Sequence, residues 1–291
     1  MILPPETEGQ IMTRTTPPQH ASTNIPRPYL YRLSGHLIEM LQGLEIGSQG
    51  YDLLHSLSHA MCRQVPDWHN GTAWQPEEGY RARCLDLRVH MGRNAENGNR
   101  GIRQAIEQLA SYQMFDWLEL QHGNTWLSWR LHDVIFGALF DPLPAPYGLF
   151  DIRACQHLKT ELEHILYAHI GLVRRMKKPE FPLDLPACAE ILGFDDARRW
   201  SGLRRPSLKA AKTAARAFEL DIMVVGECHG FWPGIDRLRV RPFGKATGWS
   251  HKNLVKMPPE ATKVLVLKGD DWIDTAPADL CNVIPRTIQF R

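Results

Sequence analysis

The chain has 291 residues, a length that allows two domains of ordinary size or one large domain. Its composition, 43% hydrophobic and 23% charged, is typical of a folded protein and excludes a chain that is disordered throughout. The formal net charge is only +2, so any surface that binds an acidic partner has to be local.

Cysteine usage and hydropathy indicate the kind of environment in which the protein folds. The six cysteines are scattered without a CxxC pair, which favours reduced core thiols over a disulfide framework or a zinc site. The sequence contains no stretch of about 18 consecutive apolar residues and no signal-peptide pattern. It therefore predicts a soluble, cytoplasmic protein that does not enter a membrane.

In chain order, the first predicted element is a tail. Residues 1–28 are rich in Pro, Thr, Gln and Ser and have no apolar period, which predicts disorder. From Tyr29, apolar residues recur at helical spacing, and a second helical pattern covers residues 51–61. Residues 83–90 (RCLDLRVH) alternate in hydrophobicity, which predicts a strand or the lead-in to one.

A helix followed by a hairpin is predicted next. The helix begins near residues 97–99 and buries a stripe that includes Ile102, Ala105 and Leu109. Two aromatic-rich runs, FDWLEL and TWLSWRL, flank a short turn of residues 121–124, which is typical of a β-hairpin.

The same order returns about a hundred residues later. A short helix over residues 185–194 leads to a basic helix over about 203–218, with Pro206 in its first turn. The runs DIMVVGE and DRLRVRP then flank a second Gly-containing turn. Helix followed by hairpin is half of a winged helix.

The repeat predicts an α+β fold of two tandem winged-helix domains, mostly helical with β-hairpin wings. Winged-helix domain 1 covers residues 29–140 and winged-helix domain 2 covers residues 146–243. Residues 244–291 are left as a C-terminal appendage, in which KVLVLKGDDW predicts one strand and a turn.

The basic helix carries the sharpest functional signal. Four cations, spaced by four, three and four residues, fall within a stripe about 60° wide: Arg205, Lys209, Lys212 and Arg216. No acid lies between Asp196 and Glu219. The pattern favours a recognition helix that enters the major groove of DNA over its alternative, a solvated basic face.

Weaker signals flank this helix. Arg237, Arg239 and Arg241 alternate along the second wing strand, so they share a face that either contacts phosphates or protects a sheet edge. At the start of the first repeat's helix, polar residues that can read base edges are also ordinary capping and surface residues. They include Arg93, Asn99, Arg100 and Arg103.

Catalytic patterns are poor. His55, His59 and Cys62 share a helix face, but a fourth metal ligand is not evident and the neighbouring leucines indicate a core-facing helix. The sequence has neither a GxxxxGK[ST] phosphate loop nor a His-x-His pair. We therefore expect no metal, no cofactor and no enzymatic activity.

Three segments together resemble the second winged-helix domain of iteron-binding plasmid replication initiators. They are YGLFDIRACQHLKTELEHILYAHIGLVRR, LPACAEILGF and LRRPSLKAAKTAARAFELDIMVV. The likeness includes a Leu-Tyr pair, Leu166-Tyr167, covers about 100 residues well and extends more loosely over the first repeat.

The resemblance implies a protein that binds double-stranded DNA at repeated origin sites, helps to open the origin and recruits the host initiator and helicase. It implies monomers that initiate and homodimers, formed through the first domain, that repress their own gene. It also adds Arg204 to the expected contacts of the basic helix. A tandem winged-helix transcription regulator and a winged-helix protein–protein adaptor remain as alternatives.

Overall fold

The computed structural model of the chain describes residues 28–65, 74–140, 146–194, 200–229, 234–244 and 247–284. The predicted tail, residues 1–28, lies outside this part of the chain except for its last residue.

Helices and short strands alternate along the chain. The first part forms β1 (Leu30–Ser34), α1 (Gly35–Leu41), α2 (Gly47–Gln64), β2 (Tyr80–Arg83), α3 (Cys84–His90), α4 (Arg100–Ala110), β3 (Phe115–Gln121), β4 (Trp126–Leu131) and α5 (Asp133–Phe140). The second part forms β5 (Tyr147–Asp151), α6 (Ile152–Cys155), α7 (Glu161–Val173), β6 (Phe181–Asp184), α8 (Leu185–Ile191), α9 (Trp200–Arg216), β7 (Asp221–Glu227) and β8 (Arg237–Phe243). Then follow α10 (His251–Leu254), β9 (Ala261–Lys268), β10 (Asp271–Thr275), a short 3-10 turn (Pro277–Asp279) and α11 (Leu280–Val283). The mixed helix and strand content confirms the predicted α+β class.

One order of elements occurs twice. Helix, strand, helix, helix and two strands follow each other in α2–β2–α3–α4–β3–β4, here called the first unit. They return in α7–β6–α8–α9–β7–β8, the second unit. In each unit the last strand lies in the middle of an antiparallel sheet, giving the orders β2-β4-β3 and β6-β8-β7.

Local sequence explains these elements. Helix α4 buries Ile102, Ala105 and Leu109 at intervals of three and four, as its apolar stripe predicts. Between β3 and β4, His122, Gly123 and Asn124 all have positive φ, the conformation that a tight hairpin turn requires. Helix α7 begins at a capping box formed by Thr160 and Glu163.

The predicted strand at residues 83–90 is wrong, because this segment forms helix α3. Leu85, Leu87 and Val89 alternate in the sequence, but only Leu87 of the three is buried, together with Cys84. Leu85 is 53% exposed and Val89 is 40% exposed. Burial therefore follows the helical interval of three and not the interval of two of a strand.

The two units are joined by strands that precede them. Strand β1 pairs with β5 antiparallel over five residue pairs, from Leu30 opposite Asp151 to Ser34 opposite Tyr147. Buried residues of both units form one continuous hydrophobic core. Within it the Tyr31 hydroxyl lies 2.6 Å from His55 Nδ1, and Phe150 packs against Tyr167.

The C-terminal strands extend the sheet of the second unit. Strand β9 pairs with β7 and β10 pairs with β9, which gives the order β10-β9-β7-β8-β6. The predicted single strand and turn of this region is therefore a complete hairpin. A smaller core, which includes Trp249, Leu254 and Leu280, packs on the face of this sheet that points away from the main core.

Candidate nucleic-acid interface

Helix α9 has one face in the core and another open to solvent. Leu203, Leu208, Ala211 and Ala215 are buried. The helix already includes Trp200, so Pro206 lies in its interior and not in its first turn as predicted. A proline there leaves the carbonyl four residues earlier, that of Gly202, without its helical hydrogen bond, and the exposure of Gly202 lets water replace that bond.

The middle of α9 presents two open cations. Arg205 and Lys209 are exposed, and neither side chain has a hydrogen-bond or ion-pair partner among the residues described here. Arg205 and Lys209 are therefore available to an anionic partner without loss of an internal contact.

The last two cations of α9 are different, because they are paired with an acid of the β9–β10 hairpin. Lys212 Nζ and Arg216 Nη2 each lie 3.0 Å from Asp270 Oδ1. Lys212 also donates to the Asp270 carbonyl at 2.9 Å, and Arg216 donates to the carbonyl of Gly269. Lys212 and Arg216 hold the pKa of the Asp270 carboxyl below its usual range.

Arg204 is also paired with this hairpin. Its Nη2 lies 3.3 Å from Asp274 Oδ2, which Lys263 also approaches to 2.8 Å. The predicted stripe of cations exists, but only part of it is free of acids. Sequence reasoning missed Asp270 and Asp274 because they lie 54 to 70 residues after the cations they pair with.

The three arginines of β8 share one face, but that face is not open to solvent along its length. Arg237 is 42% exposed and pairs with Asp184 at 2.9 Å. Arg239 donates to Glu227 at 2.5 Å, and the carboxylate of Glu227 is fully buried. This hydrogen bond raises the pKa of Arg239.

Arg241 lies inside the protein. Its side chain is 5% exposed, 2.8 Å from Glu180, and donates to the carbonyls of Leu254 and Lys256. Burial lowers the pKa of Arg241, and Glu180 opposes that effect. The expectation of three solvent-facing wing arginines is therefore corrected, because Glu180 and Glu227 draw Arg239 and Arg241 into the fold.

The first unit presents a similar, smaller set of polar residues. Arg100 and Arg103, at the start of α4, are exposed and have no side-chain partner in the part of the chain that the structure describes. Arg93 pairs with Glu96 at 2.6 Å. The Asn99 amide donates to the carbonyl of Asn124, which ties the start of α4 to the turn of the β3–β4 hairpin. Arg93 and Asn99 thus have structural partners, whereas Arg100 and Arg103 are open.

The histidine and cysteine face of α2 belongs to the core. His55 contacts Tyr31, His59 Nε2 lies 2.9 Å from the Pro28 carbonyl, and burial raises the pKa of Cys62 to about 12. Within the ranges described above, His, Cys, Asp and Glu nowhere form a group of three or more that could hold a metal ion. Over the same ranges we find no helix with the length and apolar character needed to span a membrane.

Comparison with known proteins is informative at the level of the fold. No family model matches the chain, and no curated protein matches it. Among solved structures, the crystal structure of Pi initiator protein in complex with iteron DNA is similar, with a TM-score of 0.56 at 14% sequence identity. The similarity covers 75% of this chain and 98% of the Pi initiator chain. The predicted likeness to iteron-binding initiators is thus confirmed at the level of the fold.

Proposed function

We propose that this chain binds double-stranded DNA at repeated sites of a plasmid origin and initiates replication there. The fold shared with an initiator in complex with iteron DNA supports this proposal. So does the presence of two units with the same order of elements. Each unit is a winged helix in this proposal, with α4 and α9 as the recognition helices and the β3–β4 and β7–β8 hairpins as wings.

The main support for the proposal is the set of exposed cations on α4 and α9, which are the third helices of the first and second units. Arg205 and Lys209 in α9, and Arg100 and Arg103 in α4, are exposed and unpartnered in the described parts of the chain. Lone cations on an exposed helix surface favour phosphate and guanine contacts, because such contacts replace water without breaking an internal ion pair. Two units side by side would read two successive segments of one site.

The finer parts of the function follow the same proposal. Origin opening comes from binding energy and DNA distortion, so the chain itself performs no chemical step and needs no metal or cofactor. The host initiator and helicase join afterwards in the cytoplasm, and a homodimer represses the chain's own gene. These roles rest on the resemblance of the sequence to replication initiators.

The test is selection of bound sequences from a random duplex pool. The wild-type protein is compared with Arg205→Ala/Lys209→Ala and with a control, Lys252→Ala/Lys256→Ala, which removes the same charge from exposed lysines outside the third helices. We expect an asymmetric site about two helical turns long for the wild type and the control. The α9 variant should lose it.

The salt dependence of binding measures how many phosphate contacts the α9 cations make. Loss of two phosphate contacts should reduce the slope of log K against log salt by about 1.8. An inverted repeat would favour the transcription regulator over the initiator. Absence of any enriched site, with equal behaviour of both variants, would contradict DNA recognition by α9 and favour the adaptor.

A further inference from the structure

Three of the five cations on α9 are already bound to carboxylates of this chain. Asp270 holds Lys212 and Arg216, and Asp274 holds Arg204. A carboxylate that bridges two cations at 3.0 Å offers them the same charge and the same acceptor oxygens as a DNA phosphate. A phosphate that approached these cations would be repelled by the carboxylate already bound to them, so the two anions compete.

The hairpin that carries these acids is held in place without them. Strand β9 pairs with β7 from Met223 opposite Val266 to Glu227 opposite Ala261. Trp272 of β10 packs against the main hydrophobic core. The acids are therefore kept beside α9 by the sheet, whether or not their ion pairs are formed.

The ion pairs themselves are accessible to exchange. The Asp270 side chain is 83% exposed and that of Arg216 is 50% exposed. Arg204 and Asp274 are exposed by 40% and 41%. Exposed pairs contribute little to stability, so a stronger anionic partner can displace them.

We propose that the β9–β10 hairpin is an intramolecular competitor of DNA, in which Asp270 and Asp274 occupy the places of backbone phosphates on Arg204, Lys212 and Arg216 of α9. The inference rests on the proposed function of α9 and adds that the hairpin acids lower the affinity of α9 for DNA. The five cations of α9 then fall into two sets. Arg205 and Lys209 are open, whereas Arg204, Lys212 and Arg216 bind phosphate only when the hairpin acids release them.

This competition predicts which substitutions tighten DNA binding. Asp270→Asn removes the competing negative charge from Lys212 and Arg216, which keep only their exposed bonds to the main-chain carbonyls of Asp270 and Gly269. Asp274→Asn removes it from Arg204 and Lys263. Each freed cation that reaches a phosphate steepens the salt slope by about 0.9, so Asp270→Asn should steepen it by up to about 1.8. Removal of one competing pair should tighten binding by about fivefold.

The matched control is Asp271→Asn. Asp271 is exposed, lies next to Asp270 on the same hairpin, and has no side-chain partner in the described ranges. Its substitution changes the net charge by the same amount but frees no cation. Affinity and salt slope are measured on one duplex by fluorescence anisotropy between 50 and 300 mM salt, with urea unfolding of each variant to confirm equal stability.

The outcomes separate this inference from the proposed function. Tighter binding and a steeper slope for Asp270→Asn, with Asp271→Asn like the wild type, support the competition. Equal effects of the two substitutions, or none, overturn it, while loss of binding in Arg205→Ala/Lys209→Ala would still support the function of α9. If the wild type and all variants fail to bind DNA, the proposed function itself is wrong.

Discussion

Replacement of Arg241 by methionine is expected to destabilise the second unit while leaving the electrostatic part of DNA binding unchanged. The guanidinium is 5% exposed, pairs with Glu180, donates to two main-chain carbonyls and lies 5.4 Å from the centre of the Trp249 ring. These contacts tie β8 to the segment that follows it. A side chain with this environment has no phosphate within reach unless the local fold opens.

The expected magnitude follows from these contacts. Removal of one partner of a buried ion pair costs about 3–5 kcal/mol, because the remaining charge is left uncompensated. Here the remaining charge is Glu180, which is 19% exposed and keeps Arg239 at 3.4 Å, so the lower part of that range is expected. For a chain of this size each kcal/mol shifts the unfolding midpoint by about 2–4 °C, which gives a decrease of roughly 10 °C.

The assay pairs Arg241→Met with Arg237→Met, a substitution on the same face of the same strand. Arg237 is 42% exposed and has one partner, Asp184, so its loss should cost at most about 1 kcal/mol. Thermal and urea unfolding give the stabilities, and the salt dependence of DNA binding is measured at a temperature where both variants are folded. If Arg241→Met does not accumulate as folded protein, Arg241→Lys keeps a positive charge beside Glu180 and removes only part of the hydrogen bonding to the carbonyls of Leu254 and Lys256.

One result would refute the reasoning. If Arg241→Met leaves the unfolding midpoint within about 2 °C of the wild type and reduces the salt slope by about 0.9, then Arg241 contacts a phosphate and the wing interpretation from sequence is right for this residue.

The variant Arg100→Ala/Arg103→Ala removes both open cations of the first unit, so α4 would no longer hold its half of the site. The region of DNA protected from nuclease should then shorten by about one helical turn, and the slope of log K against log salt should fall by about 1.8. A protected region of unchanged length would show that the first unit does not contact DNA. Stability should also decrease as the pH falls from about 6.5 to about 4, because burial lowers the pKa of His90 and of His169 to about 4. The unfolded chain then binds protons that the folded chain excludes, at a cost of up to about 3 kcal/mol per histidine. Urea unfolding across this range measures the effect, and a midpoint that does not change with pH would contradict it.

Elements with one buried face were predictable from sequence. Helix α4 and the β3–β4 hairpin follow from the apolar stripe through Ile102 and Leu109 and from the His-Gly-Asn turn, because these are local patterns. Helix α3 was not predictable in this way. Its alternating Leu85, Leu87 and Val89 also fit a strand, and only tertiary packing decides which of them is buried.

The candidate site was predictable only in part for a different reason. Spacing alone places Arg205, Lys209, Lys212 and Arg216 on one side of α9. Spacing cannot show that Asp270 lies against the last two, because that contact depends on β9 pairing with β7. Charge patterns along a helix predict which cations are near each other, and the rest of the fold decides which of them are free.

In the proposed function, the pairing of β1 with β5 would make the protein sensitive to the spacing between the two halves of its DNA site. Each of these strands precedes one unit. The five residue pairs between them, together with the shared core, set the angle and separation of helices α4 and α9. Because duplex DNA turns once in about 10 base pairs, five added base pairs in the middle of a site would carry its second half to the opposite side of the duplex. Units joined in this way would not follow it, so in the proposed function the phase of the double helix would be part of what the protein recognises.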